Sequence, residues 1–121
     1  MQDFELYKIV KKATGNDERI VFKVLEDTNM SYYLLLDNTY DAEGKISNVD
    51  RHTFAFPNVN VKRGDFIILY TGVGSQSSYK NKAQTVTYVF YWGFQRETSV
   101  WNEASDKAII VRMDGVQSFK V

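Results

Sequence analysis

Short runs of residues that alternate apolar and polar, each cut off by turn-forming residues, constrain this chain more than any other feature. In "RIVFKVLED", Ile20, Phe22 and Val24 fall on one side of an extended segment and Lys23 on the other. "SYYLLLDN" stops at Asp37-Asn38, and "DFIILYTG" closes on Gly72. "RHTFAFP" alternates Thr53 and Ala55 with Phe54 and Phe56 before meeting Pro57, which cannot continue a central ladder. "TVTYVFYWGF" carries the densest aromatic cluster. "KAIIVRMDGVQSFKV" predicts a terminal hairpin turning at Asp114-Gly115. The opening "DFELYKIVKKATG" admits two readings: a strand, in which Phe4, Leu6 and Lys8 alternate with Glu5, Tyr7 and Ile9, or a short helix stopped by Gly15. Between these runs lie polar connections. "DAEGKISNVD" has Gly44 as its tight turn, "VGSQSSYKNKAQ" is an exposed loop, and "QRETSVWNEASD" is a second long crossing.

Such spacing predicts about eight to ten short strands in an all-β, antiparallel sandwich. Eight Tyr, eight Phe and two Trp against a single proline favour strands over helices. The 121 residues make one domain, 1–121, with no linker or repeat to divide it.

Cysteine is absent, which excludes disulfides, thiol nucleophiles and thiolate zinc sites. It suits a reducing compartment, and a cytoplasmic setting is slightly favoured over others. Fifteen basic residues balance fifteen acidic ones, so no whole-domain field draws the chain to nucleic acid, although a local patch survives that argument. "YYLLL" and "FIILY" are too short to span a bilayer, and "MQDFELYKIVKK" lacks the apolar stretch of a secretory signal.

"VKRGD", within Phe54–Gly72, reads as a tight turn between strands. Gly64 supplies a backbone angle other residues resist, and Asp65 can bond neighbouring amides. The Arg-Gly-Asp tripeptide inside it is short enough to recur by chance. The longer pattern is more specific. A "FAFP" strand, a polar-Gly-acidic turn and "IILYTG" are followed by "FYWG" at Phe90 to Gly93, "VWNEASDKAIIV" at Val100 to Val111, and Asp114-Gly115. In that order they resemble the lamin-tail domain, an immunoglobulin-like sandwich, and are similar to its bacterial members. "ERIVFKVLED" at Glu18 to Asp27 would correspond to the family's early strand. The resemblance runs from about Glu18 onward and rests on Phe56, Pro57, Gly64, Gly72, Trp92, Gly93, Trp101, Asn102 and Asp106. Arg63 stands where the family often has proline, and residues 1–17 and the stretch from Asp41 to Asn48 have no counterpart. The resemblance implies a non-catalytic module for protein or surface contact, with no catalytic position among the matched residues.

The residues offer little independent chemistry. His52 is the sole histidine, and Asp50, two residues away, would share its face of a strand. No Gly-x-Ser-x-Gly elbow accompanies it, and "GVGSQSS" lacks the Gly-Lys-Ser/Thr ending of a phosphate loop. Asp37, Asp41, Glu43 and Asp50 make an oxygen-rich stretch, but aligning Gly44 to an EF-hand puts Thr39 at the entry position and Asp50 at the exit. A solvated acidic turn is the simpler reading. Strand parity makes Tyr88, Phe90 and Trp92 one set and Val89, Tyr91 and Gly93 the other. We expect the first set in the core; exposed, it would be a stacking platform for sugar or single-stranded nucleic acid. Lys8, Lys11, Lys12, Lys62, Arg63, Lys80 and Lys82 read as solubilising or edge-protecting charges.

The expectation is a non-enzymatic interaction module with no cofactor and no metal. Its partner is a protein, with nucleic acid disfavoured, no membrane insertion, and self-association through a sheet edge open. A carbohydrate- or nucleic-acid-binding role through exposed aromatics is the alternative. The contact surface is expected on the polar loop from Ser75 to Gln84, at Ser78, Tyr79, Lys80 and Lys82, because long loops on a rigid sandwich carry binding function.

Overall fold

The computed structural model describes residues 2–11, 17–38, 52–94, 101 and 107–121. The fold is all-β. Its strands are β1 (Phe4–Val10), β2 (Arg19–Val24), β3 (Thr28–Asn29), β4 (Tyr33–Asn38), β5 (Thr53–Ala55), β6 (Asn60–Val61), β7 (Phe66–Tyr70), β8 (Ser77–Lys80), β9 (Val86–Tyr91) and β10 (Lys107–Arg112). One 3₁₀ turn, Met30–Tyr32, separates β3 from β4.

The larger sheet has five strands in the order β1-β2-β7-β9-β8, and a three-stranded sheet runs β10-β4-β5. They pack face to face: Phe4 meets Tyr33 edge-on at 4.8 Å between ring centroids, and Phe56 meets Phe90 at 5.4 Å. Ile20, Phe22 and Val24 from β2, Ile67 and Leu69 from β7, and Phe90 from β9 form one side of the core. Tyr33 and Leu35 from β4, with Phe56 after β5, form the other. β3 and β6 make a two-stranded ribbon, Thr28 opposite Val61 and Asn29 opposite Asn60. The Asn29 amide donates to the side-chain oxygens of Asn58 and Asn60, and its own oxygen accepts from the Ser31 amide to cap the 3₁₀ turn.

The five-stranded sheet is mixed, which corrects the expectation of purely antiparallel pairing. β7 and β9 run parallel, Ile67 beside Tyr88 and Leu69 beside Phe90. The chain leaves β7, passes through Gly72 and Gly74, returns along the sheet edge as β8, then turns into the place between β7 and β8. That hairpin is what the polar composition concealed: Ser77–Lys80 is an exposed strand, not loop. Hydroxyl, tyrosine and lysine side chains suit a solvent-facing edge strand, and such a strand lacks the apolar alternation of a buried one.

Two other expectations change. The opening segment resolves as a strand, paired antiparallel to β2 with a bulge at Tyr7. The terminal hairpin does not form: among the described residues β10 pairs with β4 alone, and residues 113–121 adopt no regular element despite Asp114-Gly115. Val116 and Phe119, which a second hairpin strand would have to pack, are exposed instead.

The "VKRGD" turn behaves as its residues require. The Asp65 amide donates to the Lys62 carbonyl at 2.9 Å, and Gly64 has φ of +95°. The buried Asp65 carboxylate accepts from the Lys62 amide at 2.8 Å and from the Val86 amide at 3.0 Å. One side chain thus closes the turn and ties β9 to it.

Candidate functional site

Alternation gives the five-stranded sheet a second face. Where β2, β7 and β9 send Ile20, Phe22, Ile67, Leu69 and Phe90 inward, the intervening residues Arg19, Val21, Phe66, Ile68, Thr87 and Val89 lie on the outer side. That face is not a simple polar exterior. Val21 and Ile68 form an aliphatic floor, with Thr87 beside them, in a shallow open groove of about 590 Å³; Val21 and Thr87 are buried and Ile68 is half-buried.

Two banks rise from the floor. On the β1 side the bulge breaks strict alternation, with Leu6 opposite Phe22 and Lys8 opposite Val21. The extra residue, Tyr7, therefore joins Lys8 on the groove side. Its ring meets Phe66 edge-on at 5.1 Å. On the β8 side Tyr79 sits opposite Thr87, and Lys80, Lys82 and Ala83 complete the rim. Tyr7 and Tyr79 remain 66% and 53% exposed, respectively, so the groove is open between two available rings.

The β8–β9 turn is built by Asn81. Its side-chain oxygen accepts from the amides of Ala83 and Thr85, and its amide donates to the hydroxyls of Thr85 and Thr87. Gln84 adopts φ of +66° to close it, with its amide bonded to the Asn81 carbonyl. Lys82 is thus carried on a turn held by one well-bonded asparagine. Upstream, the connection after β7 is also close-fitting. A Cβ on Gly74 would lie 2.3 Å from the ring of Tyr91, which stacks on Tyr70 at 5.2 Å. Arg19 lies over the Tyr70 ring at 5.7 Å and donates to the Asp17 carbonyl.

Electrostatically the groove is one-sided. Among the described residues, Lys8, Arg19, Lys80 and Lys82 line it and no acidic residue does. A chain of zero net charge therefore concentrates cation on one face.

Of the residues expected at a contact surface, Tyr79, Lys80 and Lys82 line this groove, while Ser78, opposite Tyr88, does not. Tyr7, Lys8, Arg19 and Phe66 join them from strands remote in sequence. The bulge at Tyr7 left no mark in the residue pattern, and Lys8 alone resembled any solubilising lysine.

The remaining candidates resolve as structure. His52 pairs with Asp37, its Nδ1 2.9 Å from Oδ2 and its amide donating to Oδ1 at 2.6 Å, and its ring meets Phe94 edge-on at 4.8 Å. Asp50, the partner considered from sequence, and the acidic stretch at Asp41, Glu43 and Gly44 lie outside the described residues, as do Asn102 and Asp106. Among the described residues no group of three or more His, Asp or Glu side chains gathers to hold a metal. No helix there is long and apolar enough to cross a membrane. Phe90 is buried, and Tyr88 and Trp92 pack against the core with it. Trp92 Nε1 donates to the Thr53 carbonyl at 3.1 Å.

Comparison of the chain with known protein families, with curated proteins and with solved structures finds no match.

Proposed function

We propose that this domain is a non-catalytic interaction module whose contact surface is the outer face of the five-stranded sheet. One observation carries the proposal: on that face a sandwich sheet keeps an aliphatic floor in an open groove flanked by the exposed rings of Tyr7 and Tyr79. Apolar surface in a shaped, rimmed concavity is what binding surfaces present and what an exterior used only for solubility avoids. The resemblance to lamin-tail domains, modules of protein or surface contact, agrees with this reading, and the immunoglobulin-like assignment belongs to the same proposal.

Affinity capture from a native lysate with the tagged wild type, and with Tyr79→Ala/Lys80→Ala and Tyr7→Ala/Tyr79→Ala variants of unchanged circular dichroism, tests it. A protein recovered by the wild type and lost by the groove variants is expected. Recovery indifferent to the groove residues would remove this face as the contact surface.

A further inference from the structure

We infer that the groove takes an acidic amphipathic segment of a partner protein, an extended stretch whose apolar side chains enter the floor while Asp and Glu side chains meet the rim. This rests on the outer face being the contact surface and names what fills it.

The floor decides between the two polyanions that a cationic groove could attract. A single-stranded nucleic acid needs aromatic planes on which successive bases stack. Here Val21 and Ile68 floor the groove, the half-buried Phe66 is turned edge-on to Tyr7 and not laid flat with it, and the two exposed rings, Tyr7 and Tyr79, stand on opposite banks with no ring plane stacked between them. Branched aliphatic side chains make a surface for Leu, Ile, Val or Phe, not a stacking platform. Tyr7 and Tyr79 are placed to flank an inserted side chain, Tyr7 braced by Phe66. Tyrosine serves well there because its large ring orders at low entropic cost.

Charge then selects among protein segments. Among the described residues Lys8, Arg19, Lys80 and Lys82 line the groove without an acidic residue in its lining, so a basic or neutral apolar peptide gains nothing from this rim and an acidic one is steered to it. The exposed residues 115–121 of a second copy are a poorer match, since "GVQSFKV" pairs Val116 and Phe119 with Lys120 and carries no Asp or Glu. Size sets the length of the segment. Five strands about 4.8 Å apart make the sheet about 19 Å wide, room for about six extended residues crossing it.

The test is fluorescence anisotropy with a labelled peptide of alternating Leu/Phe and Asp/Glu, against the same peptide with Lys for every acid and against oligothymidine. Saturable binding of the acidic peptide alone is expected. It should weaken at least about tenfold in Lys8→Glu/Lys82→Glu, and as salt rises from about 0.05 to about 0.5 M. Lys8 and Lys82 are exposed, so the variant should fold, and an unchanged circular dichroism spectrum is the check on that. Tyr7→Ala/Tyr79→Ala should abolish binding at every salt concentration.

Tighter binding of oligothymidine, equal binding of the lysine peptide, no binding of the acidic peptide, or indifference to the charge reversal would each overturn the inference. Sedimentation showing a concentration-dependent dimer broken by the groove variants would overturn it in favour of a second copy. If the acidic peptide fails while groove variants still lose a lysate partner, the contact surface stands and only its occupant is wrong. If both fail, the contact surface falls as well.

Discussion

The two faces of the five-stranded sheet are made by the same strands and differ in what lies against them. On the inner side Ile20, Ile67, Leu69 and Phe90 meet the β4–β5 layer and are essentially inaccessible. On the outer side Val21 and Val89 are also nearly covered, at 8% and 6% exposure, although their strand partners differ: Val21 lies opposite Lys8 and Ile68, and Val89 opposite Ile68 and Ser77. Long amphipathic side chains can shield an aliphatic stripe with their stems while their charged ends stay in water. The inner face is packed against a second layer, while the outer face carries long side chains such as Lys8, Arg19 and Lys82. Burial of the first kind builds stability; the outer face is the one proposed above as the contact surface.

Substitutions on the two faces should differ accordingly. Phe90→Ala removes a ring packed on Phe56 and Phe54, and should cost about 3–5 kcal/mol, measured by denaturant unfolding. A loss under about 1 kcal/mol would mean that the inner layer is not closed. Asp65→Ala leaves two amides without their acceptor, on the turn and at the start of β9, and should cost about 2–3 kcal/mol.

Tyr33→Phe probes the polar edge of the same core, where the Tyr33 hydroxyl donates to Asp3 at 2.6 Å and Arg112 stands 3.4 Å from the same carboxylate. The substitution should cost about 1–2 kcal/mol at neutral pH. Burial, then the bond to the Asp3 carboxylate, raises the ionisation of this tyrosine above its ordinary value of 10.0. In the unfolded chain the phenol ionises near that value while the folded form still holds its proton. The contribution is complete below pH 10.0 and is lost as pH rises through the higher folded value. Tyr88, raised by burial and by the Asp65 charge, acts in the same direction. The alkaline fall in stability should thus be shallower in Tyr33→Phe but not absent.

On the outer face Gly74→Ala forces the Tyr91 ring off its stack with Tyr70, and should cost about 1 kcal/mol. Tyr79→Ala should change stability by less than about 0.5 kcal/mol while removing one bank of the groove. A large destabilisation there would make Tyr79 a structural residue and blur the contrast between the faces.

The inner face was legible because burial leaves a period-two imprint. Ile20, Phe22 and Val24 were placed on one side of a strand, and Tyr88, Phe90 and Trp92 were expected in the core, from alternation alone; the first three and Phe90 are buried, and Tyr88 and Trp92 pack partly buried against them. The Gly64 turn was legible from chemistry that few other residues can supply. β8 was not, because a solvated edge strand carries the same serines and lysines as a loop. The hairpin at Asp114-Gly115 failed for the converse reason: a turn-prone pair needs a second strand with something to pack against, and Val116 and Phe119 have no such layer. The candidate site was half legible, since Tyr79, Lys80 and Lys82 are close in sequence and their companions are not.

The sequence by itself determined an all-β chain, the residues that face its core, and the absence of any cysteine chemistry, because these follow from residue type and spacing. Tertiary structure alone decided that β9 inserts between β7 and β8, that a bulge turns Tyr7 into the groove beside Lys8, and that four cations meet around an aliphatic floor. Alternation says which residues share a face of one strand. Which strands become neighbours is set by pairing between segments far apart in the chain, and that pairing is what brings the groove together.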